Sequence, residues 1–463
     1  MDYDLVVIGS GPGGYVAAIR ASQLKMKVGV VEKAELGGIC LNWGCIPTKS
    51  LLKSAQVLEY LNHASDYGIK IEGNVKPDFK AIIARSRTVA DGMSKGIQFL
   101  FRKNNIEHLK GTGRLAGSNS VEVEDGDGNK KLYSAQNIIL ATGARSKELP
   151  NLKQDGKKII GYREAMTLVE QPGSMVVVGS GAIGSEFANF YQTLGTNVTL
   201  VEFLPRVVPN EDEEISKQLE RSFKKIKMRV MTDSSVESVD TSKEKCLVTI
   251  KTPKGEEIVE ADIVLSAVGV VTNIEGLGLE AAGVRTENGK IVVDDFYRTS
   301  VPGTFAIGDI VHGPALAHVA SAEGIICVEK IAGLDPDPLD YKNIPSCTYT
   351  NPEIASCGLT EAAAREAGFD IKVGKFPFTA SGKASAAGSR EGFVKLIFDS
   401  AYGELLGAHM IGSNVTEMIA EIVVARKLET TAHELIKAIH PHPTMSEAIM
   451  EAAAAAYGEV IHI

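Results

Sequence analysis

A strand, a glycine-rich turn and a helix occur twice in this chain, and the repeat limits the fold more than any other feature. The apolar run Asp4–Ile8 stops at Gly9-Ser-Gly11-Pro-Gly13-Gly14 and continues into the helical pattern Tyr15, Ala18, Ile19, Ala21 and Leu24. A second strand, Lys27 to Val31, ends at Glu32, which lies 18 residues past Gly14. In such a unit Gly9 permits a tight turn, Gly11 lets the backbone approach a pyrophosphate and Gly14 lets helix pack on strand. The helix N-terminus receives the anion, and the acid accepts the hydroxyls of an adenosine ribose. The second copy runs from Met175–Val178 through Gly179-Ser-Gly181-Ala-Ile-Gly184 and a helix to Val198–Val201. It ends at Glu202, again 18 residues past the last glycine.

Each copy is followed at a distance by a hairpin signal, Asp125-Gly-Asp-Gly-Asn129 in the first and Pro253-Lys-Gly255 in the second. Each then closes on an apolar strand, Ile138-Ile-Leu-Ala-Thr142-Gly143 and Ile263-Val-Leu-Ser-Ala-Val-Gly269. Two dinucleotide-binding domains of α/β class with parallel sheets are therefore expected. A carboxylate at the position of Glu202 hydrogen-bonds a free 2′-hydroxyl and repels a 2′-phosphate, which favours NAD over NADP. Arg206 is the one nearby cation that could blur this choice, and it also reads as a solvated loop charge.

Between the first acid and the next helix lies Gly37-Gly-Ile-Cys40-Leu-Asn-Trp43-Gly-Cys45-Ile-Pro47-Thr-Lys49. Cys40 and Cys45 bracket a ring small enough to close as a disulfide. Pro47 suits the first turn of a helix running on through Leu51, Leu52, Ala55 and Leu58, which puts Cys45 at a helix N-terminus. The partial positive charge there favours thiolate over thiol, so a disulfide at this point would be reducible. The pair alone leaves a second reading open, that of two buried packing cysteines. Zinc is disfavoured because no second close pair of Cys or His lies nearby. A static disulfide is disfavoured too, because six cysteines in 463 residues and an opening without a charged-then-apolar leader suit a reducing compartment.

After Gly269 the chain reads Thr299-Ser-Val-Pro-Gly-Thr-Phe305-Ala-Ile-Gly308-Asp309, a strand ending in a glycine and an acid, followed by a helical run from Ala315 to Ile331. An acid at a strand's carboxyl end with a helix N-terminus close behind suits a ribityl hydroxyl and a partly anionic ring. From about Pro345 the pattern becomes that of a separate α+β domain, with a strand at Phe393–Phe398 and a helix at Val415–Lys427. It ends in His440-Pro-His442-Pro-Thr-Met-Ser-Glu447 and an alanine-rich helix. A net charge of −9 without a Lys/Arg block argues against nucleic acid. No apolar run approaches the ~18 residues of a membrane span.

Taken in this order, the cysteine stretch, both fingerprints, the Thr-Phe-Ala-Ile-Gly-Asp run and the His-Pro-Thr-Met-Ser-Glu run resemble the pyridine nucleotide–disulfide oxidoreductases over essentially the whole chain. Cys-Leu-Asn-Trp-Gly-Cys-Ile-Pro-Thr-Lys is close to the lipoamide branch, whereas glutathione and trypanothione reductases usually carry Cys-Val-Asn-Val-Gly-Cys-Val-Pro-Lys-Lys. Trp43 departs from the commoner valine. No cysteine follows His442, unlike mercuric reductases, and both active-site cysteines are present, unlike soluble transhydrogenases.

The resemblance implies four segments: an FAD-binding domain at 1–145, an NAD-binding domain at 146–272, a central segment at 273–344 completing the FAD site, and a dimerisation domain at 345–463. Gly9, Gly11, Gly14, Glu32, Lys49, Gly113, Thr142, Gly143 and Asp309 would hold FAD, and Gly179, Gly181, Gly184, Glu202 and Gly269 would hold NAD. Lys49 would sit near the reactive flavin nitrogen, paired with Glu186, and the helix beginning near Ala315 would point its N-terminus at the flavin. Cys40 would exchange with substrate and Cys45 would face the flavin. His442, oriented by Glu447, would take the substrate thiol proton, with His440 read as a packing or surface residue.

By the same resemblance the chain would be a cytoplasmic homodimer, or a mature organellar matrix protein, served by lipoyl-bearing proteins of a 2-oxoacid dehydrogenase or glycine cleavage complex. A reductase for another disulfide and a redox-sensing flavoprotein without catalysis are the alternatives.

Overall fold

A computed structural model describes residues 1–117 and 119–463. The chain forms two units, one of residues 1–50, 83–147 and 269–341 and the other of residues 51–82, 148–268 and 342–463.

The first unit opens with β1 (Tyr3–Ile8), α1 (Pro12–Gln23) and β2 (Val28–Glu32). The cysteine helices α2 (Gly38–Trp43) and α3 (Cys45–Asn62) follow, then α4 (Phe79–Lys103), of which residues 45–50 and 83–103 belong to this unit, and β3 (Glu107–Lys110), β4 (Thr112–Leu115), β5 (Ser120–Glu124) and β6 (Lys130–Leu140). The strands run β3-β2-β1-β6, and Thr304–Ala306 adds in parallel beside β6. β1 pairs in parallel on both sides, with Ile8 opposite Val31 of β2 and Leu140 of β6. Its unbroken apolar sequence follows from this, because a central parallel strand is buried on both faces. Leu5 and Val7 face a core with Ala17, Ala21, Ile97 and Phe101, whereas Val6 and Ile8 face another with Val121 and Val123. The early half of β6 turns antiparallel with β5 through the Asp125–Asn129 hairpin, as its sequence predicts.

The second unit repeats the plan. Its parallel sheet runs Arg229–Met231, Asn197–Val201, Ser174–Val178, Ile263–Ser266, Ile159–Ile160, and a three-stranded antiparallel sheet of 235–240, 246–252 and 255–261 accompanies it. The same unit contains an antiparallel sheet ordered Ser346–Thr348, Glu353–Gly358, Leu405–Gly412, Phe393–Asp399, Ile371–Pro377. Helices Val415–Lys427 and Glu447–Ala455 close the core of that sheet through Ile419, Ile422, Ala448 and Ala452. The last helix can lie directly on the edge strand because position 374 is glycine. A Cβ there would come within 1.8 Å of the Ala452 carbonyl oxygen. No described helix is long and apolar enough to cross a membrane.

The helix expected from Ala315 begins at Ala317. Leu316 is extended, and its N–H donates to the Pro314 carbonyl, a turn that delays the helix by two residues. This helix and α1 cross closely at two glycines. A Cβ on Gly13 would lie 3.1 Å from the Ala320 oxygen, and one on Gly324 would lie 2.8 Å from the Gly13 oxygen.

Candidate functional site

Cys40 lies inside α2 and Cys45 is the first residue of α3, so the helix N-terminus predicted at Cys45 is present. The start of α2 rests against the first glycine turn. Gly38 has φ +61°, and a Cβ on it would lie 2.6 Å from the Gly11 Cα, so no larger residue fits between the cysteine helix and the turn. Gly37 N–H donates to the Ser10 carbonyl at 3.1 Å.

No disulfide joins Cys40 and Cys45 in this structure, which corresponds to the reduced pair. A hydrogen bond with Cys45, and then burial, push the Cys40 thiol well above its ordinary value, while the positive charge of Lys49 acts the other way. Cys40 therefore keeps its proton and donates it toward Cys45. Lys49 stands one turn beyond Cys45 on α3. Tyr15 closes in near Cys40, and burial together with that neighbour raises its phenol.

The two glycine turns have matching geometry. A Cβ on Gly14 would lie 1.9 Å from the Gly9 oxygen, and one on Gly184 would lie 1.9 Å from the Gly179 oxygen. At Gly11 and Gly181 a Cβ would meet nothing within 4 Å, so the backbone there faces open space, as an approaching pyrophosphate requires. Glu32 Oε2 accepts from the Ser10 N–H at 3.0 Å and the Ser10 hydroxyl at 2.8 Å. Glu202 Oε2 accepts from the Ser180 N–H at 2.8 Å and the Ser180 hydroxyl at 2.7 Å. Arg206 donates to the Pro209 carbonyl through both Nε and Nη2, which ties it down within its own loop.

The turns thus carry two residues that the sequence reading left without a role. Ser10 and Ser180 fix the orientation of the acids, and the available signal was that serine stands between the first two glycines in both copies. Gly13, likewise unassigned, is needed for the crossing of α1 with Ala317–Ile331.

The remaining first-unit positions are distinct in kind. Gly113 serves packing, since a Cβ there would press on Val31 at 3.0 Å and on Ile8 at 3.2 Å. Thr142 Oγ1 donates to the Asn273 carbonyl at 2.7 Å, and Gly143 follows with φ +66° and open space beside it. Asp309 sits in a 3-10 turn after Thr304–Ala306, and burial raises its carboxyl against the opposing charge of Lys290. Gly269 is also in the first unit, where its carbonyl accepts the Lys147 N–H at 3.0 Å. These groups fit a flavin dinucleotide in chemistry: an open glycine turn, an oriented acid, and a desolvated acid suited to a hydroxyl donor.

In the second unit Glu186 Oε1 accepts the Tyr349 N–H at 3.0 Å. His442 Nδ1 and Glu447 Oε1 are 2.8 Å apart, and Glu447 Oε2 accepts the Thr444 N–H at 2.7 Å. Burial raises the Glu447 carboxyl, but the Thr444 N–H and His442 outweigh it and leave the acid below its ordinary value. An ionised Glu447 can only accept, so the neutral imidazole carries its proton on Nδ1 and presents a lone pair on Nε2. The His442 side chain is 78% exposed, which leaves Nε2 open to a partner. His440 is engaged elsewhere, with Nε2 2.7 Å from Glu421 Oε1. The cysteine pair and the His442–Glu447 pair belong to different units.

Comparison with known proteins accounts for nearly the whole chain. The family model described as pyridine nucleotide-disulphide oxidoreductase matches residues 3–324, and that of the family's dimerisation domain matches residues 344–453. A dihydrolipoyl dehydrogenase of Rhizobium etli is 49% identical, with 99% of each chain covered. One from Bacillus subtilis is 44% identical over 100% of this chain and 99% of its own. Among solved structures, LpdA from Mycobacterium tuberculosis superposes with a TM-score of 0.90 at 29% identity, covering 97% of this chain and 98% of that one. The HOCl-induced flavoprotein disulfide reductase RclA from Escherichia coli gives 0.87 at 25% identity, covering 98% and 99%.

Proposed function

The chain belongs to the pyridine nucleotide-disulphide oxidoreductase family, and from that premise we propose that it is a dihydrolipoyl dehydrogenase using FAD and NAD. It oxidises a protein-bound dihydrolipoyl group to the cyclic disulfide and reduces NAD⁺ to NADH with release of one proton. The observation that carries this reading is the Cys40–Cys45 thiol pair, hydrogen-bonded at the start of α3 and packed against a glycine turn. Full-length likeness to several dihydrolipoyl dehydrogenases supports the substrate.

In the oxidised protein Cys40 and Cys45 form a disulfide. A substrate thiolate attacks the Cys40 sulfur, the Cys40–Cys45 bond breaks, and Cys45 leaves as thiolate at the positive end of α3. The second substrate thiol then displaces Cys40 and closes the lipoyl ring, so the electron pair rests on the two cysteines. His442 Nε2 takes the substrate thiol proton, because only a thiolate attacks a disulfide. Glu447 holds Nδ1–H and stabilises the imidazolium. Bound FAD would supply the two-electron chemistry that links the cysteine pair to NAD⁺. Gly9, Gly11, Gly14, Glu32, Lys49, Thr142, Gly143 and Asp309 would hold FAD, while Gly113, expected among them, serves through its packing on Val31 and Ile8. Gly179, Gly181, Gly184, Glu202 and Gly269 would hold NAD.

The match to the dimerisation domain supports a homodimer. We assign His442 and Glu447 of one protomer to the cysteine pair of its partner, which C₂ symmetry provides twice. The lipoyl carrier belongs to a partner protein of a 2-oxoacid dehydrogenase or glycine cleavage complex, in the cytoplasm. Steady-state rates test the reading. Dihydrolipoamide with NAD⁺ should turn over far faster than NADPH with glutathione disulfide, and the reverse order would overturn it.

A further inference from the structure

Helix α4 grips the cysteine-bearing segment at two successive points. Arg85 Nη1 donates to the Ser50 carbonyl at 2.9 Å and to the Ser50 hydroxyl at 2.8 Å on α3. Arg87 reaches α2: its Nη2 donates to the Asn42 carbonyl, and its guanidinium carbon lies 4.4 Å from the centre of the Trp43 ring. Its Nη1 is buried and has no hydrogen-bond partner among the described residues. The face of the Trp43 ring offsets part of the cost of this buried donor. Asn42 is fixed from its other end, with Nδ2 donating to the carbonyls of Leu36 and Gly38, each at 3.0 Å. The Trp43 indole N–H donates to Glu35 Oε2 at 3.4 Å. Asn42 and Trp43 form the last turn of the helix that carries Cys40, and only Gly44 separates them from Cys45.

We propose that Arg87 is a positioning residue for the Cys40–Cys45 pair, acting through Asn42 and Trp43 to favour its reduced form. The contact holds the loop between the cysteines where the two thiols hydrogen-bond. Trp43 and Arg87 work as a pair. A smaller residue at position 43 would leave the guanidinium without the ring it lies against. The inference rests on reading Cys40 and Cys45 as the redox centre.

The test uses the FAD-loaded protein equilibrated anaerobically with lipoamide and dihydrolipoamide in defined ratios. Acid quenching, alkylation and mass spectrometry then read the reduced fraction of Cys40 and Cys45. Arg87→Met should shift this equilibrium about tenfold toward the disulfide, which is about 30 mV for a two-electron couple. Arg87→Lys keeps the charge but loses the planar fork and stack, and should shift in the same direction by less. The chain has one tryptophan, so its fluorescence reports Trp43 directly, and iodide quenching should rise in both variants.

A packing role alone would lower the melting temperature while leaving the equilibrium within twofold of the parent in both variants. That result overturns the proposal, and Arg87→Lys decides alone if Arg87→Met does not fold. Reversible titration of the parent protein with unchanged variants would sink only this inference. A parent whose cysteines do not titrate as one couple would sink the reading beneath it as well.

Discussion

At the scale of single residues, the division of labour between the cysteines is asymmetric. Cys40 holds its proton against Cys45, and Cys45 stands at the N-terminus of α3. Cys45→Ser should still bind FAD, since the glycine turn and Glu32 are untouched, yet give no dihydrolipoamide:NAD⁺ turnover. Flavin absorbance and NADH formation on the same sample check both halves. His442→Gln removes the base and should lower kcat by about 10²–10⁴-fold, the usual share of general base catalysis. Glu202 is buried and held by Ser180, so Glu202→Ala removes both a charged acceptor and the repulsion of a 2′-phosphate. Losing a charged hydrogen bond worth about 1.5–3 kcal/mol should raise KM for NAD⁺ by about 10–160-fold. The preference for NAD⁺ over NADP⁺ in kcat/KM should narrow. Both glycine turns and both acids were legible in the sequence because their chemistry fixes their spacing. Ser10 and Ser180 passed unnoticed because serine is common in turns and its partner lies 22 residues away.

At the scale of elements, what the sequence could not disclose is mostly side-chain pairing across strands and helices. Lys395 reads as a polar residue in the middle of the apolar strand Phe393–Asp399, and nothing nearby in sequence explains it. Its side chain is 2% exposed and its ammonium lies 3.0 Å from Asp212, 3.0 Å from Glu214 and 2.8 Å from Glu361. Burial raises Asp212, but Lys395 outweighs it and leaves that carboxyl low; at Glu214 burial is likewise outweighed, by Lys375 first and Lys395 next. Lys395 is the chief cause of lowering at Glu361.

Carboxyls held below their unfolded values contribute stability that is present above about pH 4 and is lost as pH falls through their folded values. Lys395→Met should cost about 3–5 kcal/mol at neutral pH, chiefly through the buried Asp212, because solvent screens the more exposed Glu214 and Glu361. The fall in Tm should shrink as pH drops below about 4. A gap in Tm that stays constant down to pH 3 would contradict the pairing. By contrast the central strands of both parallel sheets, the two hairpins and the helix Val415–Lys427 were readable from period and turn residues, whereas the edge strands Glu107–Lys110, Arg229–Met231 and Ile159–Ile160 were too short to show a pattern. The boundaries of Tyr3–Ile8, Val28–Glu32, Asn197–Val201 and Val415–Lys427 fell within one or two residues, whereas Lys130–Leu140 begins eight residues before the expected Ile138 and Thr304–Ala306 five residues after the expected Thr299.

At the scale of the whole molecule, His442 is the informative residue, because a base with its imidazole 78% exposed needs something to cover it during proton transfer. The last domain's position and pattern were visible in the sequence. The assignment of His442 to the partner's cysteines comes from the family resemblance, because composition and periodicity do not record which copy of a chain a side chain meets. Mixing Cys45→Ser chains with His442→Gln chains should form hybrid dimers in which one site carries both lesions and the other carries neither. Activity should reappear toward half of one parental dimer per hybrid. Hybrids that form and stay inactive would put base and cysteines in one chain.

The central claim is that electrons from a dihydrolipoyl group pass through Cys40 and Cys45, and thiol labelling reads it directly. Oxidised protein with FAD bound is treated anaerobically with one equivalent of dihydrolipoamide, quenched, alkylated and mapped. Cys40 and Cys45 should gain label together while Cys246, Cys327, Cys347 and Cys357 do not change. Lipoamide forming with no new label on Cys40 and Cys45 would contradict the account.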